Sequence, residues 1–242
     1  MVTSMNAQAL DVTWRRDRTF YCGMALSMAV TVFVGFAATF YLRAGTLPAL
    51  SPLLVVHGTL FTSWILIFIV QTSLIAARRA DLHRRVGIGA ALVAAAMVVI
   101  GVAAAVDALR RGAIPLPGID PRMFFAIPIG DMIVFPILVG AGLLNRANSE
   151  THKRLMLLAT ISLLTAAIAR WPIPLLQHGA PLSFFGVTDL FVVAAIVYDF
   201  VSRRRVHPAY LWGGLLLIAS QPLRLVIAGT PIWLAFASWA QR

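Results

Sequence analysis

Residues Ser51 to Gly87 read SPLLVVHGTLFTSWILIFIVQTSLIAARRADLHRRVG. Crossing a bilayer takes about 20 mostly apolar residues, and Pro52 to Ala77 supplies them. Within that run His57 is the one side chain that titrates near neutrality, and Trp64 and Gln71 follow at heptad spacing, roughly on the same helix face. The run ends in Arg78, Arg79, His83, Arg84 and Arg85, a cluster suited to water or lipid phosphate. The stretch therefore predicts a membrane-spanning helix, a basic turn and the start of a second span.

The rest of the chain repeats this pattern. The sequence has 242 residues, 60% hydrophobic and 12% charged, with a mean hydropathy of +0.86. Soluble domains carry about 25% charged residues, so the composition indicates an all-α integral membrane bundle. Apolar runs predict seven transmembrane helices over 20–42, 52–77, 86–108, 124–145, 154–171, 184–202 and 209–229. Residues 1–19 are expected to form a polar cytoplasmic segment, 20–229 the transmembrane domain and 230–242 a short C-terminal tail. The third span, mostly Ala, Val and Gly, is expected in the interior. The Pro- and Gly-rich loop after it is expected along the outer surface.

The net charge of +11 would indicate nucleic acid in a soluble protein. Here arginine sits in short loops, where it sets orientation and meets anionic lipid. Arg15, Arg16 and Arg18, then Arg78 to Arg85, Arg146 to Arg154, and Arg203 to Arg205 fall on alternate loops. This predicts a cytoplasmic N-terminus and a periplasmic C-terminus, with no nucleic-acid partner. The lone Cys22 excludes an internal disulfide and a cysteine-cluster metal site.

With that topology His57, Asp131 and Asp189 lie one to two turns in from the outer side, roughly 7–11 Å deep at ~1.5 Å per residue. Asp107, Arg170 and Arg224 lie near the outer ends of their own spans. An outer polar layer results, while charge at the inner side is expected only in loops. Buried charges must face inward and pair. Two readings stand side by side: ion pairs that lock helices, or a ligand pocket built from His57, Asp131, Arg170, Asp189, Gln221 and Arg224. Pro128 and Pro136 are expected to break the fourth span around Asp131.

Chemistry narrows the options. A retinal protein needs a buried lysine, and the only lysine, Lys153, lies in a basic turn. Haem b between helices usually takes two histidines from different spans, and His83 and His152, near the starts of the third and fifth spans, are the candidate pair. His57, Asp131 and Asp189 are possible zinc or iron ligands by type, without a spacing that fixes a metal set. No Walker loop, dinucleotide fingerprint or hydrolase elbow is present.

Two patterns carry a resemblance. His57, Gln71 and Leu82-His83-Arg84-Arg85-Val86-Gly87 form the first, and His152-Lys153-Arg154-Leu155-Met156 followed by Arg170 the second. Together they resemble an uncharacterised family of predicted bacterial multi-span membrane proteins, over spans two, three and five. Leu155 stands where the family pattern has an aromatic residue. The resemblance implies a bacterial inner-membrane location and a relation to haem-handling or respiratory proteins. A more distant likeness to cytochrome b561-type bundles rests on histidines near helix ends. The expected function is binding of a small ligand or cofactor, with haem-linked redox or proton transfer. The alternative is an accessory or assembly subunit that meets a membrane-protein partner.

Overall fold

The computed structural model describes residues 2–113 and 118–242, with side chains from Trp14 onward. The expected outer loop has its centre, 114–117, outside the described residues. Eleven α-helices occur among the described residues, and no strand. They are α1 (Val2–Phe36), α2 (Pro52–Ala76), α3 (Ala80–Arg110), α4 (Pro121–Phe124), α5 (Ala126–Leu144), α6 (Ser149–Ile161), α7 (Thr165–Ile168), α8 (Pro174–His178), α9 (Leu182–Arg203), α10 (Pro208–Ala228) and α11 (Pro231–Ala240). A π-helical turn, Ala37–Tyr41, extends α1.

Helix starts follow a local rule. Ser51-Pro52, Asp120-Pro121, His207-Pro208 and Thr230-Pro231 each put a capping side chain before a proline whose missing N–H costs nothing there. Asn148 caps α6 by accepting from the Glu150 and Thr151 amides. Between α2 and α3 the reversal passes through Arg78 at φ 59°.

Six helical stretches are long and apolar enough to cross a membrane: Trp14–Tyr41, Pro52–Ala76, Ala80–Arg110, Pro121–Leu144, Leu182–Arg203 and Pro208–Ala228. Large apolar side chains cover their outer faces, Leu26, Ile88, Leu92, Val99, Leu215 and Val226 among them. A surface of this kind is matched by lipid rather than water, as expected of a multi-pass membrane protein.

The expected fifth span is not one long helix. It runs as α6, a tight turn at Ser162–Leu164, and α7. Thr160 and Ser162 hydroxyls bond back to the Met156 and Ala159 carbonyls, a habit that bends helices. The Leu163 and Leu164 amides bond three residues back rather than four. This broken element forms the centre of the bundle. Leu155, Leu157, Leu158, Ile161, Leu164 and Ile168 are all wholly buried, with α1, α5, α9 and α10 around them.

Several expectations shift. The third span, α3, lies at the edge, packed on α2 and α5; its small residues allow close approach to α2 while Ile88 and Leu92 face outward. Helix α1 extends back through the segment read as a polar N-terminal stretch. The expected C-terminal tail contains α11, whose Ala237 and Ala240 pack on Ala105, Leu109 and Phe125. Helix α5 continues through Pro136, while the fourth span, Pro121–Leu144, is interrupted between α4 and α5 at Phe125, one turn before Pro128, which supplies no donor to that turn.

Candidate functional site

The hairpin of α2 and α3 sets Gln71 beside Gly87. A Cβ on Gly87 would stand 3.4 Å from the Gln71 amide nitrogen, so a small residue lets the amide lie close to the α3 backbone. His83 is one turn before Gly87, on the same face. His83 Nδ1 and Gln71 Oε1 are buried with no hydrogen-bond partner.

His152 comes from α6, in the turns that follow the Asn148 cap. Its Nδ1 lies 2.8 Å from the Gly142 carbonyl oxygen of α5. A carbonyl can only accept, so Nδ1 carries the proton and Nε2 keeps its lone pair. This is the arrangement that orients metal-ligating histidines. A Cβ on Gly142 would meet Met156 Sδ at 2.9 Å, so the flexible thioether would have to shift to admit one.

The His83 and His152 rings lie edge-on to one another, with centroids 6.1 Å apart and planes at 89°. Metal–imidazole bonds of ~2.0–2.1 Å on either side of one ion put ring centroids roughly 6 Å apart. A His83 nitrogen lacking a partner and a His152 tautomer fixed from behind therefore fit a bis-histidine site. Both rings line a cavity of about 2090 Å³, ample for a tetrapyrrole, since small-molecule sites occupy ~300–1,000 Å³. Trp64, Phe68 and Val139 supply apolar wall, and Arg18, Arg84, Arg146, Lys153, Arg203 and Arg205 also line the cavity. Residues of four basic regions, Trp14–Arg18, Ala76–Arg84, Arg146–Lys153 and Arg203–His207, thus gather at one end of the bundle.

At the same end lies a charged network that the sequence reading held absent. Arg154 and Asp199 are wholly buried and paired at both forks, 2.5 Å from Nη2 to Oδ1 and 2.9 Å from Nε to Oδ2. Arg154 Nη1 also donates to Glu150. Asp17 accepts from Lys153, Arg203 and Tyr198. Burial pushes the Glu150 carboxyl up, but hydrogen bonds from Lys153 and Arg154 outweigh it and hold the group below its ordinary value. His207 accepts the Ala209 amide on Nδ1, and burial followed by the Arg154 charge holds its imidazole below the ordinary histidine value. The signal for this network was present in the i,i+4 spacing of Glu150 with Arg154 and of Asp199 with Arg203.

The residues of the expected outer layer fall into separate groups. Asp131 pairs with Arg224 at 2.5 Å, both buried, and Arg224 also reaches Ser220 and the Ile127 carbonyl. Asp189 accepts from Gln221 Nε2 at 2.8 Å. Gln221 and Arg224 lie three residues apart on one face of α10, so both contacts knit that helix to α5 and α9. His57 stacks on Phe61, its Nδ1 buried without a partner, and lies near enough to Arg170 for their charges to interact. Arg170 rests over Phe36 and donates to the Ala166 carbonyl. No hydrogen bond or ion pair among the described residues joins the His57–Arg170 group to the α10 group, and none of these six residues lines the large cavity. Among the described residues no cluster of three His, Cys, Asp or Glu could hold a metal ion, which leaves His57, Asp131 and Asp189 apart as a metal set.

No family model matches the chain, and no curated protein or solved structure matches it.

Proposed function

We propose that the protein is a bacterial inner-membrane haem b protein in which His83 and His152 are the axial ligands. The observation that carries this is the pair of imidazoles 6.1 Å apart, one with an unpartnered buried nitrogen and the other oriented by a backbone carbonyl, on the wall of a largely apolar cavity. Bound there, the group would supply one-electron redox chemistry.

The chain's own residues have separable roles. The Gly142 carbonyl, 2.8 Å from Nδ1, holds the His152 ring in one tautomer and one orientation. Trp64 and Phe68 exclude water from the apolar side of the cavity. Gln71, with its oxygen free, is placed to hydrogen-bond at the cavity wall. The resemblance carried by His83, Gly87, His152 and Met156 supports the same place, because all four line the cavity.

In this reading α6 and α7 together form a seventh span, central and broken, and irregular backbone at that depth is tolerated because protein surrounds it. The N-terminus is cytoplasmic and the C-terminus periplasmic, with the cavity opening at the cytoplasmic end. The α5–α9–α10 contacts act as a helix lock, since Asp131 and Asp189 each have a partner on α10. Protein purified from membranes should show a Soret band and sharp reduced α and β bands. Haem should be lost or five-coordinate in His83→Ala and in His152→Ala. A colourless protein that stays colourless on addition of haem would remove the proposal.

A further inference from the structure

The cavity lining holds more positive charge than its own carboxylates answer. Lys153 and Arg203 are committed to Asp17, and Arg18 lies against the face of Trp14, 5.3 Å from the ring centroid. Arg84, Arg146 and Arg205 differ, and of these three Arg84 and Arg146 come from the segments that carry the two imidazoles. Arg84 Nε donates to its own helix at the Ala80 carbonyl, 3.3 Å, and Arg146 Nη1 to the Leu143 carbonyl, 3.2 Å. Among the described residues neither has a carboxylate partner, and both line the cavity. Each also adjoins one of the two imidazoles in the chain. Arg84 follows His83 directly, and Arg146 lies in the turn between Gly142, which orients His152, and His152 itself.

A guanidinium presents a planar fork suited to a carboxylate. Two such forks from the segments that carry the two histidines, lining one cavity with Trp64, Phe68 and Val139, suit a ligand with a flat apolar body and two carboxylates. We infer that Arg84 and Arg146 are the carboxylate-binding residues of this cavity and select a tetrapyrrole that carries free propionates, held with its propionate edge toward the basic end. The inference rests on the tetrapyrrole reading of the site and adds to it the orientation and the residues that impose it. An uncharged tetrapyrrole of the same shape would lose both contacts. Each contact is a charge-assisted hydrogen-bonded pair, so about tenfold in affinity is at stake per arginine.

The test uses the full-length protein in detergent and two metal-free probes, protoporphyrin IX and its dimethyl ester, with quenching of tryptophan fluorescence as the readout, since Trp14 and Trp64 line the cavity. Protoporphyrin IX should bind at least about tenfold more tightly than the ester. Arg84→Gln with Arg146→Gln should close that gap, and the corresponding pair of lysine variants should keep most of it. Equal affinity for acid and ester in the unaltered protein, or a gap that persists in the double glutamine variant, overturns the inference. Because these probes hold no iron, they do not depend on His83 or His152. If the acid is preferred but added haem gives no low-spin spectrum, the arginine assignment stands and the axial-ligand assignment falls. If neither porphyrin binds, the carboxylate assignment falls, and binding of anionic but not zwitterionic phospholipid would then assign these arginines to lipid headgroups.

Discussion

At the scale of single residues, buried charge separates into groups that lock the bundle and groups that are left with something to do. Asp131 and Arg224 belong to the first kind. Removing one partner of a buried pair leaves an uncompensated charge and costs about 3–5 kcal/mol, while removing both is far milder. Asp131→Leu should therefore lower the thermal midpoint sharply in detergent, and the added change Arg224→Met should recover much of the loss. An additive double variant would show that the two residues do not act as a pair. His207 gives a pH-dependent counterpart. Burial and the Arg154 charge hold its imidazole below the ordinary value, so below about pH 6.5 the unfolded chain takes up a proton that the folded protein resists. Its contribution is full above that pH and is lost as the pH falls. Asp199, Glu150 and Arg205 face the same group, but Glu150 is held below its ordinary range and does not titrate in this window. The thermal midpoint should drop between pH 7.5 and pH 5.5, and His207→Asn, which keeps a capping acceptor, should flatten that drop. An unchanged slope would place the pH dependence elsewhere.

At the scale of elements, apolar length in the sequence was enough to place six long helices, because each needs only an unbroken apolar run. The element at the centre was harder to read. Hydropathy placed 154–171 as a span, but the turn at Ser162–Leu164 arises from hydroxyls bonding back to the chain, which an apolar count does not register. The edge position of α3 was equally hidden, since small residues serve close packing inside a bundle or at its rim. Close approach to α7 depends on Gly35, where a Cβ would run into the backbone of Ala167. Backbone cannot swing aside, so Gly35→Ala should force α1 away from α7 and cost about 1–3 kcal/mol. The matching change at Gly23, where a Cβ meets nothing within 4 Å, should be neutral. Equal effects at both positions in a thermal-shift assay would argue against this packing.

At the scale of the whole molecule, the two ends differ in kind. The two histidines were legible as candidates because each begins a helix in a basic segment, but their approach to 6.1 Å depends on how α3 and α6 pack around α5, which spacing along the chain does not contain. The outer polar residues were legible as buried charge. That they divide between an α10 lock and a separate His57–Arg170 contact follows from which helices are neighbours. The basic end carries arginines from alternate loops around one cavity, and the proposed topology, which follows the positive-inside rule, puts that end at the cytoplasm. A periplasm-active reporter fused after Arg242 should be active and one fused after Arg205 silent; the reverse pattern would move the cavity to the other face of the membrane.

The central claim is that His83 and His152 together hold one haem iron. Electron paramagnetic resonance of the oxidised, haem-loaded protein reads axial ligation directly. The expected spectrum is a low-spin ferric signal characteristic of two imidazoles, replaced by a high-spin signal in His83→Ala and in His152→Ala alike, with the low-spin form restored by added imidazole. A high-spin signal in the unaltered protein, or a low-spin signal that survives either substitution without added imidazole, would contradict it.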